Sequence, residues 1–186
     1  MFAGCGASGT NSPNAAAPQP AQPAAPAVPQ DILSVARGML GSDAEVIAWG
    51  DLALNGHQEV LAVNHIYSQG AASAGLVISR LSISENDGGK WKEVLRCDEH
   101  LKNTNGFLGG APLADISAWR MQYAKDPKLG LMMFFTPYNQ GPSVLATTVE
   151  VRWNPEAKRY QAMDANHENF IGEASSLEPV RRKLGP

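Results

Sequence analysis

The densest run of reactive side chains is Asp98-Glu99-His100, followed by Asn103, Thr104 and Asn105 inside the stretch DEHLKNTNGFLGGAPL, 98–113. Two acids and an imidazole in succession are the types that serve acid–base chemistry or hold a metal. Their spacing argues against both uses, because metal sites draw ligands from separate places and neighbours on an extended chain point different ways. The stretch reads as a solvated polar loop, with Asp98, Glu99, His100, Asn103 and Asn105 as candidate ligand-binding groups. His57, His65, His100 and His167 are far apart in sequence, and no GxSxG, HExxH, Walker A, dinucleotide or CxxC pattern occurs. Cys97 follows Val94 and Leu95 at the end of an apolar run, with no His or Lys in a nucleophile pattern beside it, and reads as a small buried hydrophobe. No catalytic residue is assigned.

The elements that must position these groups are mostly strands. Ile32, Val35, Ala36, Met39 and Leu40 fall at helical spacing in 31–40, with Asp31 to cap the start or favour the dipole and Gly41 to stop it. Val46–Trp49 and Glu59–Tyr67 read as a hairpin around the turn dipeptide Asn55-Gly56. Leu76–Glu85 and Lys90–Cys97 form a second, joined by Asn86-Asp87-Gly88-Gly89. Ile116–Tyr123, Leu129–Thr136, Leu145–Trp153 and Arg159–Met163 continue the meander, with turns at Asp126-Pro127, Asn139–Pro142 and Asn154-Pro155. The run Leu131–Phe135 predicts a central strand buried on both faces. Residues 166–176 predict a helical turn carrying Phe170 and Ile171, and 177–184 a short basic tail. The expectation is a mainly β domain of about eight strands, a single antiparallel meander or sandwich, with a short N-terminal helix and a C-terminal helical segment.

Within the first hairpin, GDLALNGHQEVL (50–61) resembles the FG-GAP or VCBS type of loop found in propeller blades, which runs Gly-Asp, then Asn-Gly, then an acid leading an apolar strand, and often cradles calcium. The resemblance implies Asp51, Asn55 and Glu59 as metal-binding or turn-stabilising residues. Calcium needs six to eight oxygens, and Ala53 and His57 stand where further ligands belong. Asp51 and Asn55 are therefore expected to bond turn amides, with calcium as the less favoured outcome and no other cofactor. No second copy occurs to support a propeller.

The N-terminus sets the address. Phe2-Ala3-Gly4-Cys5 resembles the lipobox of bacterial lipoproteins, with small residues before a cysteine that becomes the acylated mature N-terminus. The resemblance implies lipidation of Cys5 behind a truncated signal at 1–5, and attachment by two or more chains is effectively stable. Residues 6–30 hold six prolines and no charged residue, the composition of a disordered Pro/Ala-rich tether. At about 3.1 Å per residue it would span on the order of 75 Å. All 33 charged residues lie beyond it, in a single globular domain at 31–186. A net charge of -3 without a basic stripe argues against nucleic acid as a partner. No apolar run approaches a membrane span, which leaves lipid as the membrane contact. The expected function is that of a membrane-tethered envelope lipoprotein for binding or scaffolding an unidentified protein or ligand. Gly6 after the cysteine suits the outer membrane, facing the periplasm or cell surface. The alternatives are an envelope hydrolase or metal-dependent enzyme with a cleft near Asp98–Asn105 or Asp51, and a soluble cytosolic β-rich protein.

Overall fold

The computed structural model describes Met1 and residues 27–66, 75–108, 116–138 and 147–173. Cys5, the 6–26 part of the tether, the 177–184 tail and most of the Gln69–Gly75 loop lie outside them. One short helix, α1 (Gln30–Leu40), precedes eleven strands: β1 (Glu45–Gly50), β2 (Glu59–His65), β3 (Leu76–Asp87), β4 (Lys90–Cys97), β5 (Leu101–Asn103), β6 (Gly106–Phe107), β7 (Trp119–Asp126), β8 (Gly130–Pro137), β9 (Val149–Asn154), β10 (Arg159–Met163) and β11 (Phe170–Ile171). Eight have five or more residues, and β5, β6 and β11 are the short additions. The protein is mainly β, one curled antiparallel sheet with a single short helix among the described residues.

The sheet forks at β3. This 12-residue strand pairs with β2 along one side, while its other side pairs with β7 through Leu76–Ile78 and with β4 through Leu81–Asp87. One branch is β4-β5-β6 and the other β7-β8-β9-β10-β11, with β1 beyond β2. The second branch folds back over the first, so Met133, Phe135, Val151 and Tyr160 share a core with Leu61, Val63, Ile83 and Leu95. All eight are withdrawn from solvent to 0% exposure. Burying aliphatic and aromatic side chains to this degree stabilises by roughly 1.5–3 kcal/mol each.

The outer side of β1 and β2 is covered by α1. Ile32, Ala36 and Leu40, spaced by four, pack with Val60 and Ala62, and Val46, Trp49 and Trp91 close the cluster. Pro29 stands at the N-cap with no side-chain cap, so Asp31 serves the helix dipole from the first turn instead. Gly41 ends the helix at φ 92°, its N–H donating to Arg37 O.

Three expectations change. The 98–113 stretch is not a plain loop: it holds the β5–β6 hairpin, whose turn forms because Asn103 Oδ1 accepts the Asn105 N–H. The Leu131–Phe135 run is buried on one face only, with Met133 and Phe135 inside and Met132 and Phe134 half-buried outside. The reason is that α1 packs on β1, β2 and β3, and among the described residues no helix covers β8. The helical turn expected at 166–176 is, as far as Glu173, a tight turn followed by β11. Asp164 draws that turn closed by accepting from Glu168 N and Asn169 Nδ2, and His167 sits at φ 61°, which a helix excludes.

Candidate functional site

The folded-back branch brings four hairpin connections together. The β7–β8 turn docks on the β1–β2 loop through a hydrogen bond from Leu131 N to Leu52 O of 2.8 Å. Gly130, at φ 75°, makes the contact feasible, since a Cβ there would lie 2.5 Å from Leu52 O. The β3–β4 and β9–β10 turns complete the ring. Between them opens a cleft of about 740 Å³, within the usual size of ligand sites. We call it the mouth.

Glu85 forms the buried floor of the mouth, and a second acid, Glu59, is buried behind the lining. Glu59 shares strand parity with the core residues Leu61 and Val63, so its carboxyl is turned inward and is 0% exposed. Glu59 Oε2 accepts the Ala53 N–H at 2.8 Å, and the Tyr160 hydroxyl lies 3.1 and 3.0 Å from Oε1 and Oε2. Burial pushes the Glu59 carboxyl up to about 8, against the lowering effect of those two hydrogen bonds. Burial, with the Glu59 charge second, raises the Tyr160 hydroxyl well above its ordinary value. At neutral pH the pair is therefore a neutral acid and a neutral phenol. Glu85, the cross-strand partner of Glu59, is ion-paired to Lys92 Nζ at 3.1 Å and accepts from Asn55 Nδ2 at 3.1 Å. That hydrogen bond to Glu85 raises Lys92.

Asp51 and Asn55 do what their turn requires. The Asp51 oxygens accept from Asn55 N and Gly56 N at 2.9 and 3.1 Å, and Asn55 Oδ1 accepts from His57 N. Glu59 is held apart in the core by its own partners. Among the described residues no three His, Cys, Asp or Glu side chains converge as metal ligands.

The walls differ from the floor. Lys128, Arg152 and Lys158 line the mouth and make no ion pair with a described residue, while Trp153 and Phe170 add aromatic surface. The Arg152 guanidinium sits over the Phe170 ring, 5.3 Å from its centroid, and its buried Nε has no acceptor. Of the acids lining the mouth, Glu85 and Asp87 are both engaged by Lys92. A chain of net charge -3 thus presents a cationic opening here. Leu54 and Leu129 stand on its rim, 51% and 44% exposed. Leu54 is held at φ 55° and Lys158 at φ 53°, a region that disfavours side chains with a Cβ.

The second expected group lies away from the mouth, and its hydrogen bonds run within the fold. Asp98 accepts from His100 N and Lys102 Nζ, and although burial opposes ionisation, these bonds hold its carboxyl below the usual range. Its carbonyl receives Trp119 Nε1. Glu99 is exposed, and the half-buried His100 ring packs 5.0 Å from the Phe107 ring. Asn103 Nδ2 donates to Tyr160 O at 2.7 Å and to Glu173 Oε1 at 2.9 Å, tying β5 to β10. Asn105 is exposed beyond its amide bond to Asn103. Tyr160 joins the two groups, its hydroxyl on Glu59 and its carbonyl on Asn103. Cys97 is 0% exposed, and burial raises its thiol well above its ordinary value.

Sequence reasoning missed Tyr160, Glu85, Arg152 and Trp153. Parity in EVLAV could have flagged Glu59 as inward; the others carry no local signal. A further acid–imidazole contact, Glu150 with His167 Nδ1, lies on the outer face beside Phe134, and no Ser, Thr or Cys hydrogen-bonds to that ring among the described residues. No family model, curated protein or solved structure matches the chain.

Proposed function

We propose that this protein is a lipid-anchored envelope module whose β head binds an anionic partner at the mouth. The observation that carries the binding reading is the set of Lys128, Arg152 and Lys158, without an ion pair among the described residues and gathered with Trp153 and Phe170 around one cleft. The cleft lining carries Lys92, Lys128, Arg152 and Lys158 against Glu85 and Asp87, an excess of positive charge that favours an anion. A catalytic reading is less well supported. Glu59 resembles a raised-pKa general acid, but with no exposed surface and both oxygens engaged it meets no substrate.

The envelope address is supported by Phe2-Ala3-Gly4-Cys5 and the uncharged Pro/Ala-rich segment after it. Fractionation of native cells with mass spectrometry of the N-terminal peptide tests it. The expected product begins at Cys5 with a diacylglyceryl thioether, in the envelope fraction. A free Cys5 thiol on a chain that still carries Met1, in the soluble fraction, removes the anchor.

A further inference from the structure

We infer that the partner of the mouth is an anionic phospholipid surface, against which the head docks by this end. The inference rests on the binding reading just given and adds the identity of the occupant.

Three independent features point to a membrane surface. The first is the pairing of cations with projecting aliphatic side chains. Leu54 and Leu129 are among the large hydrophobics most exposed in the described residues, and the docked Leu52–Leu131 contact brings their two turns together on one rim. Leu54 also keeps a strained backbone, although its neighbours Leu52 and Ala53 are buried to 3% and 5%. Folding has hidden the residues on one side of it and left the leucine out. Exposed aliphatic tips ringed by Lys128 and Lys158 match the headgroup boundary, where apolar side chains enter the acyl edge and ammonium groups meet phosphates. The second feature is Arg152, a cleft-lining cation whose guanidinium stands over the Phe170 ring with no ion pair to a described residue, as a fork for a headgroup phosphate.

The third is where the chain enters the domain. The carbonyl of Leu40, at the end of α1, accepts from Arg80, and Arg80 pairs with Asn64 well down β2 from the mouth. The same apolar cluster takes in Trp49, Val60 and Trp91, which stand at the mouth end of β1, β2 and β4. Hence α1 runs away from the mouth, and the chain that begins at Met1 joins the head on the mouth side. An anchor at Cys5 would reach the head through that side. Docking and anchoring then use the same face.

The test uses the full chain carrying Cys5→Ser, so that no acyl chain contributes, with vesicles of neutral phosphatidylcholine, the same vesicles with one third phosphatidylglycerol, and soluble glycerol 3-phosphate. Each lysine near an anionic surface strengthens binding by about fivefold. The expected result is sedimentation with the phosphatidylglycerol vesicles only, weakening as salt rises. Lys128→Glu with Lys158→Glu should lower the partition coefficient by at least about tenfold, and Leu54→Ser with Leu129→Ser should abolish retention at high salt while preserving the thermal melt. Binding of glycerol 3-phosphate without vesicle binding would overturn the membrane inference and leave the mouth an anion site. Absence of binding to all three would overturn both readings. Vesicle binding untouched by either double variant places the contact elsewhere and also overturns the inference.

Discussion

Replacing Glu59 by glutamine should stabilise the protein at neutral and alkaline pH, and the size of the gain follows from where the carboxyl sits. Burial moves Glu59 from an ordinary 4.5 in the unfolded chain to about 8 in the fold. The folded state therefore holds a proton that the unfolded state has released, and stability falls as pH rises between those two values. At about 1.4 kcal/mol per unit the loss reaches about 3 kcal/mol by pH 7 and about 5 kcal/mol above pH 8, where it levels off. Glutamine reproduces the neutral acid: its carbonyl oxygen accepts the Ala53 N–H and its amide donates to the Tyr160 oxygen. It carries no titration. Urea unfolding followed by tryptophan fluorescence at half-unit steps from pH 4.5 to 9 reads the difference between variant and wild type, in which every other titrating group cancels. The curves should meet near pH 4.5 and diverge up to about pH 8, with Glu59→Gln the more stable. Parallel curves, or a variant that loses ground as pH rises, would show an ionised Glu59 in the fold and refute the reasoning. Glu59→Ala supplies the contrast: near pH 4.5 it should lie on the order of 2–4 kcal/mol below wild type, because the Ala53 amide and the Tyr160 hydroxyl are left without their acceptor, and the deficit should close as pH rises, since alanine too carries no titration.

Two other outcomes follow from the same geometry. Gly130→Ala puts a methyl group 2.5 Å from Leu52 O at φ 75°, and should cost on the order of 3 kcal/mol. Gly56→Ala, at φ 84° with open space around it, should cost only about 1 kcal/mol, so unfolding midpoints of the pair separate the clash from the backbone penalty. In a chain carrying Cys5→Ser, Cys97 should react with an aromatic disulfide reagent only at the rate of unfolding, since it is fully buried with its thiol raised; immediate labelling in the native state would contradict that.

The legibility of this chain divides along the range of the interactions. The hairpins at 45–65 and 76–97 could be read because Asn55-Gly56 and Gly88-Gly89 encode their turns within a few residues, and the turn bonds of Asp51 and Asn55 are equally local. The 166–173 segment was misread because Phe170 and Ile171 suit either a helix or a strand. Pairing with Met163 and Ala162 decided it, and that is a tertiary fact. The β5–β6 hairpin was hidden in the same way, as three- and two-residue strands carry no periodicity to detect.

The mouth was unreadable for a deeper reason. Its unpaired cations come from turns at 128 and 158 and from β9 at 152, and its rim from 54 and 129; they meet only because β3 is long enough to pair with β4 at one end and β7 at the other. The fork turns the β7–β10 branch back onto the β1–β2 loop, and the neutral Glu59–Tyr160 contact fastens the two. A charged Glu59 would be held less well in that position, so the proton on its carboxyl belongs to the architecture of the mouth. Raising the pH through about 8, which takes that proton off, should therefore loosen the seam between loop and branch before it affects α1, which packs on the far side of β2 in a separate apolar cluster.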